Sequence, residues 1–304
     1  MPSPAGPEAR PVRPARSGLA PYLFAVPAGL GLVVLVAGPV AGVVLMSFTN
    51  WQLGAREAQL VGVANYLDLF ADPLFRRSLA NTLIYVLLVA PATFALALAV
   101  ALAIESGRRF KAWYRTLIFL PVTATVVAMA VVWDFILHPT VGPLNAGLAL
   151  MGLEGRNWLR DPATALPVLA VIGIWLKLGY LMVLFLAGLA KIPRTYYEAA
   201  AMDGVRSAWD RFRYVTWPLL GPTSLFAAVI VTVQSFETFE TVAVLTEGGP
   251  NHATEVLLHT LYVEGFRFFR TGYAAALTVV FLVIILSLTA ANMASLRGRA
   301  TAHA

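Results

Sequence analysis

The chain has 304 residues, of which 59% are hydrophobic and only 12% charged, with a net charge of +6 and no cysteine. An ordinary soluble domain is about 25% charged, so these long apolar blocks exceed what one soluble core can hide, and the chain reads as a polytopic membrane protein. The lack of cysteine excludes disulfides and thiolate metal sites, and the positive excess follows the loops between apolar blocks, so it calls for no nucleic-acid partner.

Residues 1–18, rich in Pro, Ala and Arg and without hydrophobic periodicity, predict a disordered tail. A helix crossing the bilayer needs about 20 apolar residues. The first such span runs from Tyr22 to Phe48. It is too long for a signal-peptide core of roughly 7–15 residues and predicts a retained anchor. The second span covers Asn81 to Ile104 and the third Thr116 to Ile136. Leu144 to Leu153 then predicts one short helix. The fourth span, Ala163 to Leu189, is interrupted by Lys177, and the fifth, Thr223 to Leu245, carries Glu237 and Glu240 in its later half. Val256, Leu257, Leu258, Leu261, Tyr262 and Phe266 recur at helical spacing and predict an amphipathic helix at the outer surface. The sixth span is Gly272 to Met293. The expected architecture is therefore an all-α integral membrane protein of six transmembrane helices. It divides into the tail, a first helix with its outer loop (19–80), a five-helix core (81–295) and a short cytoplasmic C-terminal tail (296–304).

Lys and Arg set the orientation, because cytoplasmic loops carry the excess. With the N-terminus inside, the inner segments hold Arg10, Arg13 and Arg16; Arg108, Arg109, Lys111 and Arg115; Lys191, Arg194, Arg206, Arg211 and Arg213; and Arg297 and Arg299. The outer segments hold half as many: Arg56, Arg76, Arg77, Arg156, Arg160, Arg267 and Arg270. Both termini are then cytoplasmic, and so is the polar stretch 190–222 between the fourth and fifth spans.

That stretch is the most informative in the chain. Ile192-Pro193 ends the fourth span, since proline cannot continue a helix interior. Tyr196–Met202, with Glu198 and a run of Ala, predicts a short helix, and Gly204 after Asp203 is a common left-handed stop. Ser207 to Trp217 predicts a second, amphipathic helix with Trp209, Phe212, Tyr214 and Val215 near one side. Asp210, Arg211 and Arg213 lie on the other, and Pro218 and Pro222 lead into the fifth span.

Glu198-Ala199-Ala200, Asp203-Gly204, Phe212, Pro218 and Pro222 together resemble the cytoplasmic "EAA" loop of ABC-importer permeases. The resemblance covers about residues 20–293 and is to the sugar-importing branch, the maltose and glycerol-phosphate type. It rests also on Val61-Gly62, Asn65-Tyr66, Leu120-Pro121, Trp158-Leu159-Arg160-Asp161-Pro162, Leu245-Thr246, Gly248-Gly249-Pro250 and Gly272-Tyr273-Ala274-Ala275-Ala276. The Thr-x-Gly-Gly-Pro element is similar to that of the "F-type" subunit of such importers. The resemblance implies a non-catalytic permease, with no cofactor, in a bacterial or archaeal cytoplasmic membrane. It implies a second, "G-type" permease, an ABC ATPase dimer that receives Glu198, Ala199, Ala200, Asp203 and Gly204, and an extracytoplasmic substrate-binding protein. The sequence contains no G-x-x-x-x-G-K-[ST] phosphate loop, in keeping with ATP hydrolysis on a separate subunit. Helix-terminus charge stabilisation is the plainer explanation of Glu198.

Charges inside spans usually face a cavity or an opposite charge. Lys177 is therefore expected to pair with Glu237 or Glu240 beside a solute path, the two carboxylates sharing a helix face at i, i+3. By resemblance, sugar-contacting positions fall at Gly173, Leu176, Lys177 and Tyr180 on the fourth span and at Gln234, Ser235 and Thr238 on the fifth. The plainer reading is polar glue between helices. Asp134 reads as interfacial, and His138, His252, His259 and His303 are scattered without metal-like spacing. A non-sugar ABC permease remains an alternative, and an ion-coupled secondary transporter would explain the spans but not the loop. A membrane-bound enzyme is disfavoured, because no nucleophile–base or metal set converges.

Overall fold

The computed structural model describes residues 20–107 and 110–301, with only the backbone described for 20–24 and 295–301. The expected tail 1–18, with Arg10, Arg13 and Arg16, lies outside these residues, as do Arg108, Arg109, residues 302–304 and the side chains of Arg297 and Arg299. Among the described residues the only strand-like feature is one bridge between Thr49 and Leu60. Everything else regular is helical.

Helix α1 (Ala20–Leu32) passes through a π turn, Val33–Ala37, into α2 (Gly38–Met46). Pro39 cannot donate to Leu35, and the wider turn relaxes the clash at that carbonyl. After α3 (Ala64–Ala71), α4 (Pro73–Ser106) begins with Pro73 as its first residue and the Asp72 carboxylate accepting from the Leu74 amide at 2.8 Å. It starts well before the expected Asn81, because Arg76 and Arg77 mask this first turn from a hydropathy reading. The third span is not one straight helix. It is split into α5 (Lys111–Thr123) and α6 (Val126–Ile136), bent by 101° at the extended Ala124. Then follow α7 (Pro143–Leu150) and α8 (Ala165–Ala190).

The polar stretch folds as α9 (Arg194–Met202), α10 (Ala208–Arg211), a π turn at Phe212–Thr216 and α11 (Trp217–Leu219). The fifth span is also broken, into α12 (Gly221–Phe236) and α13 (Glu240–Leu245). Last come α14 (Leu257–Tyr262), with a π turn at Val263–Arg267, and α15 (Thr271–Thr301), which outruns its expected end at Met293. Among the described residues, five helical spans are long and apolar enough to cross a membrane, or six if the bent pair α5–α6 is one span.

Helices α4 and α8 form the centre. At one end Leu98, Ala101 and Ile104 meet Met182, Phe185 and Leu189, joined by Ala227 and Val231 of α12. At the other, Tyr85 and Val89 meet Leu169 and Ile172, with Ala130 of α6 and Val242 of α13. Lipid tails are as apolar as these side chains, so close packing rather than water release holds them together. The amphipathic helix expected at the outer surface packs its apolar face inward on the bundle. Leu257 is buried with Leu69, Phe75 and Leu277, and its amide donates to Thr82 Oγ1 of α4 at 2.9 Å. Asn81 Nδ2 donates to the carbonyls of His252 (3.0 Å) and Glu255 (2.9 Å), pinning the preceding loop to α4 as well. The first span is different: none of its residues from Ala25 to Met46 is buried within the chain.

Candidate functional site

Two features separate from this scaffold, one at each break in the apolar pattern. The first is the pair of short helices between α8 and α12. On α9, Glu198 and Ala199 are exposed, Ala200 is half-buried, and Asp203 and Gly204 are exposed in the turn beyond. Glu198 has no hydrogen-bond or ion-pair partner among the described residues. It also lies beyond the first turn of α9, where the helix dipole no longer favours a carboxylate, so terminal charge stabilisation is a poor explanation of it. Gly204 has φ +88°, a left-handed conformation that suits glycine, and it sets the angle at which the chain leaves α9.

Beyond it, Ser207 caps α10, its hydroxyl accepting from the Asp210 amide at 3.0 Å and donating to the Asp210 carboxylate at 2.7 Å. The rings of Trp209, Phe212 and Trp217 pack in series, with centroids 5.6 and 5.9 Å apart. Val215 is buried, but Trp209 (65% exposed) and Tyr214 (63%) are not, and Tyr214 lies under the Arg213 guanidinium where the π turn shifts the helical phase. Tyr197 hydrogen-bonds Thr216 at 3.1 Å, so α9 and the second helix are braced together.

The second feature is a cavity of about 540 Å³ where both broken spans meet α8. The α5–α6 bend contributes Pro121, Val122, Ala124 and Val126. Thr125 stabilises that bend as the cap of α6, its hydroxyl accepting from the Ala128 amide at 3.3 Å. The break in the fifth span falls at Glu237-Thr238-Phe239, and these residues line the cavity with Gln234, Glu240 and Thr241. Irregular backbone at membrane depth is tolerated where it is buried in protein or lines a water-filled cavity, and discontinuous helices mark many transporter sites. From α8 come Leu176, Lys177 and Tyr180, and Leu258 adds an apolar corner. Phe239 packs against Tyr262 at 5.0 Å, which holds its ring at the wall.

The structure brings together most, but not all, of the expected path residues. Gly173 is buried against Tyr85, where an added Cβ would strike the tyrosine hydroxyl, and does not line the cavity. Ser235 is also buried, donating to the Val231 carbonyl at 2.6 Å. Glu237 and Glu240 do not share a helix face, since the break lies between them, though both face the cavity. Lys177 interacts electrostatically with Glu237, as expected, but not in direct contact: neither carboxylate lies within 4.0 Å of it, and it has no hydrogen-bond partner among the described residues.

Two things escaped the sequence reading. The residues of the α5–α6 bend are plain apolar positions with no chemical signal. The histidines are less scattered than their spacing implied. His259 Nδ1 lies 2.7 Å from the buried Glu255 carboxylate, which also accepts from Thr260 Oγ1 at 2.9 Å, and His252 approaches it at 3.8 Å. The i, i+4 spacing of Glu255 and His259 was the available signal.

A broken-helix bundle with a cavity at its breaks and a braced pair of polar helices at one end defines a membrane-embedded transport subunit. Residues 93–297 match the family described as "Binding-protein-dependent transport system inner membrane component", and the chain belongs to that family. It is a multi-pass membrane permease. The "Probable ABC transporter permease protein YurN" of Bacillus subtilis (strain 168) is 35% identical over 277 residues, covering 90% of this chain and 94% of the relative. The "sn-glycerol-3-phosphate transport system permease protein UgpA" of Agrobacterium fabrum (strain C58 / ATCC 33970) is 32% identical over 273 residues, covering 89% and 92%. A chain in the crystal structure of a bacterial ABC transporter involved in the import of the acidic polysaccharide alginate shares the fold. Its TM-score is 0.80 at 23% identity, covering 91% of this chain and 95% of that one.

Proposed function

We propose that this chain is one of two permease subunits of an ATP-driven importer for a sugar or oligosaccharide. It forms half of the translocation path and does no chemistry itself. The observation that carries the reading is the exposed, unpartnered Glu198 on a short helix braced through Tyr197 and Thr216 to the segment that leads into α12. A helix held in this way can be pushed as a unit, so a docked ATPase would move α12 and the cavity wall with it. Glu198, Ala199, Ala200, Asp203 and Gly204 are the coupling surface, the small Ala side chains allowing close approach. The cavity residues Leu176, Lys177, Tyr180, Gln234, Glu237, Thr238 and Glu240 line the solute path.

Several findings support the partners. One fold neighbour is an alginate transporter in complex with a periplasmic protein bound to an alginate pentasaccharide. A substrate-binding protein on the outer side, an ABC ATPase dimer on the inner side and a second permease are the partners proposed here. The unburied first span, with Leu35 76% exposed, offers that second permease an apolar surface continuous with the bilayer.

The test is isolation of the complex through a tagged copy of this chain, with and without Glu198→Arg. We expect a second permease and an ATPase to co-purify with the parent, and the variant to lose the ATPase while keeping the permease. A chain that purifies alone in both forms and supports uptake without ATP would overturn the reading in favour of an ion-coupled carrier.

A further inference from the structure

We propose that Glu237 and Glu240 make the cavity a site for a saccharide bearing a protonated amine, and that they disfavour saccharides bearing a carboxylate or phosphate. The inference rests on the sugar-permease reading of the same cavity and names its substrate class. Of the side chains lining the space, the charged ones are one lysine and two glutamates.

Lys177 interacts electrostatically with Glu237, but one lysine cannot balance two carboxylates, and it forms no ion pair within 4.0 Å and no hydrogen bond with either. Glu237 and Glu240 are likewise without a hydrogen-bond or salt-bridge partner and keep their accepting oxygens for a ligand. Backbone dipoles do not reverse this balance. The carbonyl ends of α5 and α12 and the amide ends of α6 and α13 all fall at the two breaks, so the helix-end half-charges oppose one another in pairs and leave the side chains to decide.

A third negative group placed here would face two carboxylates set against a single lysine, with apolar walls behind them. An ammonium would instead donate to both. Lys177 Nζ, Gln234, Thr238 and Thr241 would serve the ring hydroxyls, and the faces of Tyr180 and Phe239 the ring C–H groups. This charge demand is opposite to the one posed by the acidic polysaccharide of the fold neighbour.

The test uses three probes that share one ring: glucosamine, glucose and glucuronate. Their competition for the detergent-solubilised complex, isolated through this chain, is read by saturation-transfer NMR at slightly acidic pH, where the amine of glucosamine is protonated. Glucosamine should bind about tenfold better than glucuronate, with glucose between, a step of the size expected for one charge reversal near a protein surface. Glu237→Gln and Glu240→Gln should each narrow the gap, and the double variant should close it. Both carboxylates are exposed to the cavity, so neither change threatens folding.

An equal or reversed order overturns the proposal, as does an order the double variant leaves intact, or a complex that binds none of the three. ATP-driven uptake by the same complex in vesicles separates the two readings. Intact sugar uptake with a reversed charge order removes the amine and keeps the permease, whereas uptake that ignores ATP removes the permease reading itself.

Discussion

Tyr85 carries its hydroxyl into the interface between α4 and α8, where it lies beside Thr238 without closing a hydrogen bond of usable geometry. A buried polar group left unsatisfied costs about 1–3 kcal/mol, so Tyr85→Phe should leave the thermal midpoint in detergent unchanged or raise it. The same hydroxyl occupies the space a side chain at Gly173 would need. Gly173→Ala should therefore cost about 1–3 kcal/mol in the parent and measurably less in the Tyr85→Phe background. Equal costs in both backgrounds would mean that the two residues do not meet.

Lys177 poses a transport question instead. A lysine within a span costs ~2.5–3.5 kcal/mol on the insertion scale, and here Glu237 offsets it only from beyond direct-contact distance. Lys177→Met should insert at least as well as the parent, yet lower uptake about tenfold at equal membrane abundance. At this scale the charges that line the cavity were legible in the sequence, because a charge in an apolar block needs a reason. Their pairing was not legible, because distances across three helices depend on bends that no residue announces. Gly173 and Ser235 show the same limit: each lies on the right helix but points into packing.

Among the elements, the bend between α5 and α6 does most to shape the cavity, and it depends on a close approach to α8. A Cβ at Gly179 would meet the Ile118 carbonyl and the Phe119 Cα, both backbone atoms that cannot swing aside. Gly179→Val should therefore displace α5 and cost about 3 kcal/mol, near the upper end for overpacking. Gly147→Ala on α7, where nothing lies within 4 Å, should be neutral or stabilise by up to about 1 kcal/mol through helix propensity. Thermal denaturation of the two variants side by side checks this; similar midpoints would contradict the α5–α8 contact.

The spans themselves were easy to see because each is a run of apolar residues. Their breaks were not, since a hydropathy window carries no direction. Pro121 and the Thr123–Thr125 run, or the Glu237-Thr238-Phe239 run, read equally well as decoration of a straight helix. The two short helices around Gly204 were legible in outline from Pro193, Gly204 and Ser207. The π turn that exposes Tyr214 had no signal of its own.

At the scale of the whole molecule, function depends on which end of the bundle faces the cytoplasm. On the proposed reading, the two-to-one distribution of Lys and Arg predicts the α9–α10 end inside and the α7 end outside. The chain contains no cysteine, so a single introduced thiol reports one position without background. Met202, at the end of α9, is 89% exposed, and Leu150, at the end of α7, is 91% exposed, so both tolerate replacement and both are open to reagent. In intact cells a membrane-impermeant maleimide should label Leu150→Cys and leave Met202→Cys unreacted until the membrane is permeabilised. The reverse pattern would put Glu198 and Gly204 on the side without ATP. No ATPase could then reach them, and the braced helices would have to be reread as a surface for the substrate-binding protein. Labelling of both thiols in sealed cells would point instead to a leaky or misassembled chain, and repeating the experiment in the co-purified complex would show whether its partners restore the seal.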